Sequence, residues 1–74
     1  MSTFLSRHFT ARRLERGLRP VDLAGLCGYR NRAKGANRIM RFEERGEIHP
    51  ELLAKLAVVL GVEQEQVAEL VRQD

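Results

Sequence analysis

Gly17, Gly28, Gly46 and Gly61, together with Pro20 and Pro50, fall between runs of periodic apolar residues and cut this chain into five short segments. No segment alternates strictly between apolar and polar residues, so strands are not expected and the fold class reads as all-α. The first helix is expected from about Thr3 to Arg16, with Leu5, Phe9 and Ala11 on its apolar side and Gly17 closing it. The second starts at Pro20, where the missing N–H would be unpaired anyway, carries Asp22 near the positive end of its dipole, and ends at Gly28. The third is N-capped by Asn31 and runs through "AKGANRIMRFEER" to Gly46, where the chain can take a left-handed turn. "HPELLAKLAVVLG" makes the fourth, and "EQEQVAELVRQ" the fifth.

With 74 residues and 43% hydrophobic content, the chain can build one small core, and a single domain over residues 1–74 is expected. So small a core is marginally stable, which favours a partner subunit. The fifth helix gathers Val67, Leu70 and Val71 on one side, next to Val62. Those side chains either form an isologous two-fold contact or pack back on the fourth helix. The lone Cys27 cannot form an internal disulfide, no apolar run approaches the roughly 20 residues that span a bilayer, and "MSTFLSRHFTARR" lacks the apolar core of a secretory signal. A cytoplasmic protein without membrane attachment is the simplest expectation.

The net charge of +3 hides a strong asymmetry. Residues 1–19 carry five Arg against Glu15, residues 29–41 carry five bases and no acid, and residues 42–74 carry eight acids against three bases. One surface is expected to attract a polyanion, and the acidic half is left for solvation or a protein partner. The third helix gives the positive charge a shape. At about 100° per residue, Ala36, Ile39, Met40 and Phe42 fall on one broad side, while Lys34, Asn37, Arg38, Arg41 and Arg45 share a sector on the other. Arg can donate two hydrogen bonds to a guanine edge, Asn can pair bidentately with adenine, and the major groove admits a helix. An ordinary solvated face mixes signs, whereas this one meets no acid before Glu44.

"ARRLERGLRPVDLAGLCGY", "RIMRFEERG" and "HPELLAKLAVVLGV" follow one another in an order that resembles the Cro/cI-type helix-turn-helix regulators of the Xre family, over nearly the whole chain. The resemblance implies a compact five-helix bundle of the lambda-repressor-like helix-turn-helix type. Leu23, Ala24 and Gly28 match its packing and turn positions, and Leu52, Leu53, Leu56, Ala57 and Leu60 match the core of its fourth helix. In such proteins the second helix crosses the DNA backbone and the third enters the major groove, commonly in a dimer reading two half-sites. Arg13 and Glu43 match a pair that often forms a buried salt bridge in the family.

Two features depart from that pattern. Arg19 and Pro20 stand where the family usually has a polar pair whose amide contacts a phosphate. About five additional residues lie between Gly28 and the Ile39-to-Phe42 motif, so the turn or the start of the third helix is expected to be enlarged. Tyr29, Arg30, Asn31, Arg32 and Lys34 occupy that insertion, and its bases favour a DNA-gripping extension over a solvated loop. Gly35 marks either a helix break or a close backbone approach to DNA.

The expectation is a sequence-specific regulator of double-stranded DNA, a repressor acting as a homodimer. Lys34, Asn37, Arg38 and Arg41 are assigned to bases, and Arg19, Arg30, Asn31 and Arg32 to phosphates. Cys27, His8 and His49 match no zinc spacing, no phosphate-binding glycine loop is present, and nothing suggests a catalytic triad, so no metal, cofactor or enzyme activity is expected. Two alternatives use the same fold: an antitoxin or other protein-interaction module docking through the acidic half, and an RNA binder, for which Tyr29 is the only good stacking group.

Overall fold

Thr3 and Ser6 start the first helix by capping each other. The Ser6 N–H donates to the Thr3 hydroxyl at 3.0 Å and the Thr3 N–H donates to the Ser6 hydroxyl at 2.8 Å, satisfying two donors that a helix start leaves open. In the computed structural model, which describes residues 1–74, that helix is α1 (Phe4–Glu15). It is followed by α2 (Pro20–Leu26), α3 (Arg32–Arg45), α4 (Pro50–Leu60) and α5 (Gln64–Gln73), with no strand. The local end signals act as expected. The Asn31 side chain accepts the Lys34 N–H at 3.1 Å, and Gly46 and Gly61 end α3 and α4 with φ of +77° and +68°.

The helices bury Leu5, Phe9, Leu23, Ile39, Phe42, Leu56 and Leu60 in one cluster, with Phe9 and Phe42 edge to face at 5.7 Å. The most extensive helix contact is between α2 and α3, and α1 lies across α3, α4 and α5. Arg13 fastens this arrangement. Its Nε and Nη2 donate to the two Glu43 oxygens at 2.7 and 2.8 Å, and Nη1 donates to the Leu18 carbonyl at 2.8 Å. One guanidinium thus joins α1, α3 and the α1–α2 turn. The Glu43 hydrogen bond holds the guanidinium protonated even more firmly than usual, against the opposing effect of burial.

Three expected placements differ. Ala11 is exposed, because Leu5, Ser6, Phe9 and Arg13 define the buried side of α1 and Ala11 falls away from it. Met40 is 43% exposed, because the buried strip of α3 is centred on Gly35, Ala36, Ile39 and Phe42, and Met40 projects beyond its edge. The fifth helix rests chiefly on α1 rather than on α4, bringing Val67 and Leu70 against the common core. Asp74 reinforces that contact by accepting the Phe4 N–H at 2.6 Å. No helix is long and apolar enough to cross a membrane.

Because the Arg13 and Glu43 side chains are only 11% and 13% exposed, removing one leaves the other charge uncompensated in a poorly hydrated place. Arg13→Ala is expected to lower stability by about 3 kcal/mol or more, read as a shift of the urea midpoint at unchanged slope. A loss below about 1 kcal/mol would show the pair to be no stronger than a surface contact.

Candidate nucleic-acid interface

Burial of Gly35, Ala36, Ile39 and Phe42 determines what α3 shows to solvent. Lys34, Asn37, Arg38, Arg41 and Arg45 are all exposed, along a strip of about 16 Å at 1.5 Å per residue. Glu43 turns inward to Arg13, so its charge is withdrawn from the surface and Glu44 is the only acid of α3 left exposed. None of Lys34, Arg41 and Arg45 has an intramolecular ion pair. Cations without partners attract an anion without first surrendering an internal contact.

The α2–α3 turn is the enlarged element. It spans residues 27 to 31, and α3 starts at Arg32, so Lys34 lies in the first turn of a 14-residue helix. Gly35 marks neither a break nor a ligand contact. A Cβ there would come within 2.7 Å of the Ala24 Cβ and of the Tyr29 ring, so the glycine lets α3 approach α2 and its loop. Tyr29 is half-buried, packs on the core, and donates its N–H to the Ala24 carbonyl at 3.1 Å.

The residues assigned to phosphates separate into different settings. Arg19 is engaged by Asp22: its Nε and Nη2 each donate to the carboxylate at 3.0 Å, while the Arg19 N–H closes the α2 N-terminus on the same group at 2.9 Å. These hydrogen bonds from Arg19 hold the Asp22 carboxyl below its usual range, with a smaller electrostatic contribution from Arg32. Arg32 is exposed and has no ion pair. Its guanidinium lies over Gly25, where a Cβ would come within 2.9 Å of its Cζ. Arg30 is exposed at the loop and has no ion pair, whereas the Asn31 side-chain Oδ1 is occupied as the helix cap. The α5 stripe lies elsewhere, and of its three members only Val71, 52% exposed, remains largely open.

Beside the α3 strip is a cleft of about 670 Å³ whose lining includes Tyr29, Arg38, His49, Glu51 and Lys55. His49 and Lys55 had no place among the expected site residues. They share the cleft with Arg38 because α4 and the turn before it lie beside α3, and no short-range spacing carries that information. Cys27 also borders the cleft, and burial raises its thiol pKa, making it a poor nucleophile at neutral pH. No protein-family model, curated protein or solved structure matches the chain.

Asp22, with its lowered folded-state pKa, stabilises the fold above the ordinary carboxylate range, and that contribution is lost as pH falls through the lowered value. NMR titration of the Asp22 carboxyl is expected to give a midpoint below the usual range, moving up in Arg19→Ala. An unchanged midpoint in that variant would remove Arg19 as the cause.

Proposed function

We propose that this protein is a sequence-specific double-stranded DNA-binding transcriptional regulator, a repressor acting as a homodimer. The observation that carries the proposal is the exposed side of α3: four cations and an amide along one strip, with Glu43 on the opposite side paired to Arg13 and Glu44 the one exposed acid of the helix. A helix of this width fits the major groove, where Arg38 and Arg41 can each give two parallel N–H donors to a guanine edge and Asn37 can exchange two hydrogen bonds with adenine. Lys34, in the first turn, supplies a point charge and further donors to bases. Arg30 meets the phosphate backbone directly. Arg32, exposed and without an ion pair, can do the same, whereas Arg19 reaches it only by exchanging Asp22 for phosphate, so its contribution is smaller.

Two copies suit the task because a two-fold duplex site presents equivalent half-sites about 34 Å apart. On α5, Val71 is the apolar side chain left to contribute to such a contact, since Val67 and Leu70 serve the core. A protein-interaction role, as in an antitoxin, is the second reading. It is favoured by Leu26 and Val58, 58% and 82% exposed, which border a shallow apolar groove between α2 and α4.

Duplex affinity is expected to fall steeply with salt, each neutralised phosphate contributing about 0.9 to the log–log slope. Arg38→Ala and Arg41→Ala should each cost about 1–3 kcal/mol and relax preference at one base position, whereas Arg30→Ala should weaken all sequences alike. A slope near zero, or an unchanged preference profile in both α3 variants, would reject this use of the helix.

A further inference from the structure

Arg38 differs from the other cations on the exposed side of α3 in having a partner. Its Nη1 donates to the Tyr29 hydroxyl at 3.3 Å, and its Cζ lies 5.9 Å from the centre of the Tyr29 ring. The ring is itself restrained. It sits against the α3 backbone at Gly35, where any Cβ would strike it, packs on the core, and follows a residue whose N–H is tied to α2. Gly28, at φ +92°, supplies the left-handed turn that precedes Tyr29.

We infer that Tyr29 is a positioning residue: seated in the Gly35 notch, it holds the Arg38 guanidinium in one orientation on the exposed side of α3 and thereby sharpens discrimination at the base that Arg38 meets. The inference rests on the DNA-binding reading and concerns the specificity of that same site. Its chemistry is simple. One of the five guanidinium N–H donors is engaged by the phenol, leaving parallel donors for a purine edge. The ring face attracts the cation without competing for those donors. A long side chain restrained before binding loses less rotamer freedom on binding, and a misdirected base pair meets a guanidinium that cannot swing to accommodate it. The inserted residues then serve chiefly to support the reading helix, and Arg30 and Arg32 are left open for the backbone.

Two variants separate this role from simple packing. Tyr29→Phe keeps the ring and its seat on Gly35 but loses the hydroxyl; Tyr29→Leu loses both the hydroxyl and the aromatic face. In the free protein, NMR relaxation of the Arg38 Nε–H is expected to show it more restrained than that of Arg41. The restraint should decrease in Tyr29→Phe and disappear in Tyr29→Leu, with urea midpoints confirming that both variants remain folded. On duplexes enriched from a random pool by the wild type, Tyr29→Phe should reduce discrimination at the Arg38-dependent base pair by roughly three- to tenfold, a size typical of the net worth of one ordinary hydrogen bond. Other positions and the salt slope should be unchanged, and the effect should vanish in an Arg38→Ala background.

Equal mobility of Arg38 and Arg41 in the free protein overturns the inference. So does a Tyr29→Phe loss spread evenly over all positions, or one that persists without Arg38. Failure of the DNA reading would show separately, as a wild type that neither enriches a duplex nor binds one in a salt-dependent way; the specificity role would fall with it, even with Arg38 held in the free protein.

Discussion

The two-point contact between Arg13 and Glu43 is the interaction on which the rest of this molecule depends. It joins α1 to α3 through two short charge-assisted bonds, and its third donor secures the Leu18 carbonyl in the turn leading to α2. Glu43 lies on the same side of α3 as Ala36 and Ile39, opposite the exposed bases, so without Arg13 its carboxylate would face the interior with no charge to balance it.

The α2–α3 pair extends that logic. Gly35 permits a close approach that any side chain would block, and the Tyr29 ring fills the space beside it. Of the cations nearest α2, Arg19 is partly neutralised by Asp22, whereas Arg32 is exposed without an ion pair. Those on the outer side of α3 keep their charge free for an external anion.

How much of this was legible in the sequence follows from the range of each interaction. Helix ends depend on contacts within four residues, and Asn31, Gly46, Gly61, Pro20 and Pro50 stand where the structure uses them. The outer residues of α3 were equally legible, since periodicity alone opposes them to Ile39 and Phe42. Ala11 and Met40 were misplaced because periodicity gives the existence of a buried side but leaves its centre uncertain by about one residue, roughly 100°. The settings of Arg19 and Arg32, the docking of α5 on α1 and the seat of Tyr29 on Gly35 depend on which helices meet, and local patterns carry little of that. Arg13 and Glu43, 30 residues apart, were paired by resemblance to a known family rather than by any local signal.

The central claim is that the outer side of α3 reads duplex DNA, in two copies related by a two-fold axis. Selection of bound sites from a random duplex pool tests it most directly. The account predicts enrichment of a palindromic motif whose half-site centres lie about 10 base pairs apart, or a multiple of that, with purine-rich edges at the positions lost in Arg38→Ala and Arg41→Ala. A pool that remains random after repeated selection at low salt, where nonspecific attraction is strongest, would contradict it.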